Sequence, residues 1–90
     1  MDLEALLTHY FGTVDLEGLT ADIFDAGQQR LGIDFAVERD PGRRFALWTL
    51  MDAIGTAPLP ADAFKKPEEA GLKRAAENYL TAAWRFDRDR

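Results

Sequence analysis

The sequence predicts an all-α fold, a compact bundle or orthogonal array of four main helices. Three observations carry this. Apolar residues recur at helical spacing in four separate stretches. Capping residues or glycines bracket most of those stretches. Strand-type alternation occurs once, at 33–37, with no second run to pair with it.

The first helix is expected from about Leu3 to Phe11. Leu3, Leu6, Leu7, Tyr10 and Phe11 follow the i, i+3, i+4, i+7, i+8 pattern of one face. Asp2 suits its N-cap, where a carboxylate also meets the positive end of the helix dipole. Gly12 is the expected stop, because glycine takes the left-handed conformation without steric cost.

The second helix is expected to begin at Asp15 as N-cap. Val14 and Leu19 there stand at the spacing of a hydrophobic staple. Thr20 is a rival start. Its apolar face reads Ile23, Ala26, Gly27 and Leu31, with Phe24 beside it and Gly32 as the stop. The small pair Ala26-Gly27 would let another helix approach closely. Residues 33–39 then read as a short helical turn or an extended connector that lays Phe35 and Val37 on the core.

The third helix has the clearest start. Asp40-Pro41 sets an N-cap residue before a proline at the first helical position, where the missing N–H costs nothing. It runs to Gly55 and is apolar over most of its circumference, so it is expected to be the central helix, with Trp48 in the core. A connector with Pro58 and Pro60 follows, holding one turn at 61–64 that tucks Phe64 inward. The fourth helix is expected from Pro67, with Glu68 and Glu69 in its first turn. Leu72, Ala75, Ala76, Tyr79, Leu80, Ala83 and Trp84 share one face, and Lys73 stands four residues before Glu77, the spacing of a weak ion pair.

Ninety residues make room for one domain, 1–90, with one core. The apolar fraction is 47% and the charged fraction 30%, which fits a globular chain and argues against disorder. The net charge of −5 has the wrong sign for most nucleic-acid binders, whose affinity comes largely from neutralising phosphates. With no cysteine, neither a disulfide framework nor a thiolate metal site is open to the chain. Its acidic start does not read as a secretory signal, and no apolar run is long enough to cross a membrane, so a cytoplasmic location is expected.

No catalytic, metal or cofactor site is read in the chain. His9 is the only histidine, too few for a triad or a paired-histidine metal site. Asp15, Glu17, Asp22 and Asp25 lack the spacing of a calcium loop and read as a solvated face. The glycines form no phosphate loop. An enzyme is therefore not expected.

Two clusters are candidates for binding. Arg39, Arg43 and Arg44 surround the start of the third helix, where unpaired N–H groups and the helix dipole favour an anion or an acidic partner. Their plainer role is pairing with Glu38 and Asp40. Trp84 and Phe86 stand roughly 200° apart around one helix, so they cannot both face one core layer. They become the candidate interface with a protein partner or a second copy of the chain. Arg30 is expected to lay its stem on the core or to pair with a buried Asp52.

The functional expectation is a small non-enzymatic protein–protein interaction or regulatory protein. The alternative is a binder of a small anion or nucleic acid through the arginine-flanked helix start. Nucleic acid is disfavoured by charge, and also by Phe45, Leu47, Trp48, Leu50 and Met51, which make the third helix core rather than a groove reader.

Overall fold

A computed structural model of the protein describes the backbone of residues 3–88 and the side chains of residues 3–82. The described residues are all α, with no strand among them: α1 Leu3–Phe11, α2 Ala21–Val37, α3 Pro41–Ala53, α4 Pro60–Ala63 and α5 Ala70–Arg88. Single 3₁₀ turns stand at Leu16–Gly18 and Pro67–Glu69. No helix among the described residues is long and apolar enough to cross a membrane. The fold divides into two units, 1–57 and 58–90.

In the first unit, α1, α2 and α3 each pack on the other two. Leu6, Tyr10 and Phe11 of α1, Leu31 and Phe35 of α2, and Leu47, Trp48 and Leu50 of α3 are all buried. Trp48 is fully enclosed, as the apolar circumference of its helix predicts. Gly27 sits where α2 meets the end of α1. A Cβ there would stand 2.5 Å from the Phe11 ring and 2.7 Å from the Tyr10 carbonyl oxygen. Of the small pair expected to admit a close neighbour, Gly27 does so and Ala26 is exposed.

Three helix ends form as the sequence indicates. Gly12 and Gly55 take positive φ, 76° and 82°. At Gly55 the α3 terminus closes with paired bonds, Thr56 N–H to the Met51 carbonyl at 2.8 Å and Gly55 N–H to the Asp52 carbonyl at 3.1 Å, the Schellman pattern that satisfies the last carbonyls. Asp40 caps α3 by accepting from Arg43 N–H at 2.8 Å. The expected cap Asp2 lies outside the described residues.

α2 departs from expectation at both ends. Asp15 caps only the 3₁₀ turn, accepting from Glu17 N–H at 3.2 Å, and Thr20 caps the helix itself. Val14, expected in a staple, is exposed. At the other end the helix runs through Gly32 to Val37, so 33–37 is neither a connector nor extended. The buried positions explain this. Phe24 is half-buried and stacks on Phe11 at 5.5 Å, and Gly27, Leu31 and Phe35 continue the same face at helical spacing. Phe35 is thus buried as a helical residue, whereas Val37, expected on the core, is 70% exposed. Ile23, also expected on the core face, is 51% exposed.

In the second unit, α5 packs on α4 and on the 3₁₀ turn before it. Phe64 and Ala63 are buried, as is Ala76 of α5. The expected start at Pro67 takes the form of the 3₁₀ turn, with α5 proper beginning at Ala70. Glu69 reaches back to accept from Lys66 N–H at 3.4 Å. Of the expected apolar face, Ala76 is buried, Leu72 and Leu80 are half-buried, and Ala75 and Tyr79 are exposed. Lys73 and Glu77 form no ion pair.

Candidate functional site

The arginine cluster lies at the junction between α2 and α3. The residue before a proline is steered out of the helical region, and Asp40, before Pro41, is extended with φ −69° and ψ 122°. α2 therefore stops short of it, leaving backbone groups on both sides of the junction without intrahelical partners. The chain supplies those partners itself. One carboxylate oxygen of Glu38 accepts from Arg39 N–H at 3.1 Å and from Asp40 N–H at 3.3 Å. The other receives the Arg43 Nε at 2.8 Å. Arg44 donates through Nη1 to the Phe35 carbonyl, in the last turn of α2, and lays its guanidinium over the Phe35 ring, 4.1 Å from the centroid.

The three arginines thus have three different settings. Arg43 pairs with Glu38, Arg44 closes the end of α2, and Arg39 is exposed. They do not converge on one point. At the start of α3 Asp40 accepts from the Arg43 N–H, and Glu38 takes up the Arg39 and Asp40 N–H groups just before it.

Beside this junction lies a polar groove of about 260 Å³, lined by Tyr10, Asp34, Val37, Glu38, Arg43 and Leu47. Its floor holds a pair that the sequence did not announce. The Tyr10 hydroxyl donates to Asp34 Oδ2 at 2.6 Å, joining residues 24 apart in the chain. Burial, then the hydrogen bond to Asp34 and its negative charge, push the Tyr10 hydroxyl up to about 12. A hydroxyl so far from neutrality is a weak acid–base group at ordinary pH.

The second feature is the outer side of α2. While Gly27, Leu31 and Phe35 face inward, Ile23, Ile33 and Val37 are 51%, 64% and 70% exposed. With exposed Ala26 they fall within an arc of about 80° at 100° per residue. Arg30 lies inside that arc and is exposed; it neither covers the core nor pairs with Asp52, which is half-buried rather than buried.

Trp84 and Phe86, the expected interface, fall on the α5 backbone, but their side chains lie outside the described residues. His9 is exposed and meets the neighbouring Tyr10 ring edge-on at 4.8 Å. Among the described residues no cluster of three or more His, Asp or Glu side chains could hold a metal ion. Comparisons with protein-family models, with curated proteins and with solved structures find no match for this chain.

Proposed function

We propose that this protein works through protein contacts, as a small non-enzymatic interaction or regulatory protein, and that the outer face of α2 makes those contacts. The observation that carries this reading is the grouping of Ile23, Ala26, Ile33 and Val37 on one exposed arc of a 17-residue helix. Single exposed aliphatic residues are ordinary on any protein surface. Three large ones on one arc, with Arg30 between them, form a mixed apolar and charged face of the kind an amphipathic helix offers to a partner. The opposite side of the same helix is fixed to α1 and α3, so the face is presented on a rigid element.

The arginine junction contributes less to this reading, since Glu38 and the Phe35 carbonyl already engage Arg43 and Arg44. Protein contact is tested by placing a photo-crosslinking residue at position 33 and, in a second variant, at exposed position 17 on the first 3₁₀ turn. Irradiation in extract from the host cell is expected to give discrete adducts from position 33 and none from position 17. Equal labelling from both, or none from position 33, overturns the reading.

A further inference from the structure

We infer that the partner on the outer face of α2 is a basic amphipathic segment of another protein, which sets apolar side chains on Ile23 and Ala26 and its lysines or arginines against the acids at the start of the helix. This rests on the reading of that face as a contact surface and adds the chemistry of its occupant.

Charge is unevenly distributed along the chain. Residues 1–29 hold six acids, Asp2, Glu4, Asp15, Glu17, Asp22 and Asp25, and no lysine or arginine. The remaining 61 residues hold ten acids and eleven bases, so the net charge of −5 is −6 from residues 1–29 and +1 from the rest. Four of those acids accompany the exposed apolar residues at the front of α2. Asp15 caps the 3₁₀ turn that leads into the helix, and Glu17 lies within that turn. Asp22 stands one turn before Ala26, and Asp25 is next to it. All four acids are exposed, as are Val14, Ile23 and Ala26. Among the described residues none of the four enters an ion pair. Asp22, in the first turn, complements the helix dipole. Asp25, past that turn, serves neither as cap nor as dipole partner. Like charges left uncompensated draw a partner of opposite sign. Apolar residues bordered in this way select a segment with apolar side chains on one side and cationic ones beside them. Arg30, one turn past Ala26, is exposed and ends the acidic stretch, so it repels a lysine or arginine placed beyond it. The cationic end of the partner therefore lies over the start of α2.

The probe is a fluorescent helical peptide of leucine and lysine alternating at helical spacing, with a leucine–glutamate peptide of the same pattern as control. Anisotropy with the full chain is expected to show the lysine peptide binding with a dissociation constant on the order of 10 µM at low salt. Binding should weaken about tenfold or more as NaCl rises from about 20 mM to about 200 mM, because salt screens exposed charges. At about 100 mM NaCl, Asp22→Lys combined with Asp25→Lys should weaken it about fivefold or more, and Ile23→Ser likewise. Asp62→Lys combined with Glu68→Lys makes the same change in net charge at exposed sites of the second unit and should alter binding by less than about twofold. Arg30→Glu lengthens the acidic stretch and should tighten binding about twofold or more. All of these positions are exposed, so the variants keep the fold. A lysine peptide that does not bind overturns the basic partner, as does equal binding of the glutamate peptide. Equal losses from the two double reversals overturn it too, since they show attraction to net charge alone. If position 33 still crosslinks to another protein when the lysine peptide does not bind, the contact reading survives that failure.

Discussion

Gly27 and the Tyr10–Asp34 hydrogen bond both act where α1 meets α2. At Gly27 the helix backbone lies so close to α1 that any Cβ would press on the Phe11 ring and on the Tyr10 carbonyl oxygen. A ring can turn, but a carbonyl in a helix moves only with its helix. Gly27→Ala gains roughly 1 kcal/mol of helix propensity and loses about 1–3 kcal/mol to overpacking. Net destabilisation is expected, read as a lower midpoint in urea with an unchanged slope. The Tyr10–Asp34 bond acts at the same junction. Tyr10→Phe should cost about 1 kcal/mol near neutral pH. Because the folded hydroxyl titrates near 12 against an ordinary 10.0, the contribution is complete below pH 10 and is lost as pH rises from 10 to 12. Urea midpoints of wild type and variant, compared across that range, should therefore converge. A gap that stays constant from pH 9 to about 12 would show that the hydroxyl is not held by this bond. No spacing rule links position 10 to position 34, so this pair was not legible in the sequence. It exists only once α1 and α2 are docked.

At the scale of elements, local chemistry settled the ends wherever a cap was unambiguous. Gly12, Asp40-Pro41 and Gly55 act as their residue types require. It failed at Gly32, where a helix-terminating residue type sits inside a continuous helix. The reason is tertiary: Leu31 and Phe35 lie one turn apart on the buried face, and enclosing Phe35 outweighs the modest cost of an interior glycine. The alternation of Ile33, Phe35 and Val37 was the residue-level trace of a helix apolar on two sides, one inward and one outward. Hydrophobicity alone cannot say which side faces in, so Ile23 and Val37 read as core residues although both face outward. In the arginine cluster the pairing with Glu38 was legible and Arg43 makes it, whereas the bonds from the Arg39 and Asp40 N–H groups to the same carboxylate were not. Gly32 offers a direct check. Nothing lies within 4 Å of a Cβ placed there. Gly32→Ala should stabilise the protein by about 0.5–1 kcal/mol, visible as a higher thermal midpoint. The opposite signs expected at Gly27 and Gly32, two glycines of one helix, separate close packing from backbone entropy.

At the scale of the whole chain, the two units differ in what each can sustain by itself. Residues 1–57 hold three helices in mutual contact and eight of the large buried side chains, from Leu6 to Leu50. Residues 58–90 hold one long helix, a four-residue helix and a 3₁₀ turn. A helix needs a partner surface to be stable in water, and domains of fewer than about 40 residues rarely bury enough to fold without disulfides, metals or oligomerisation. The chain has no cysteine. A fragment of residues 1–57 is therefore expected to keep helical circular dichroism and a cooperative thermal transition. A fragment of residues 58–90 is expected to lose its ellipticity gradually on heating, without a cooperative step. The Tyr10–Asp34 pair adds a second readout: Tyr10→Phe within the 1–57 fragment should lower its midpoint as it does in the full chain. A non-cooperative 1–57 fragment would show that three helices and their enclosed Trp48 do not make a sufficient core.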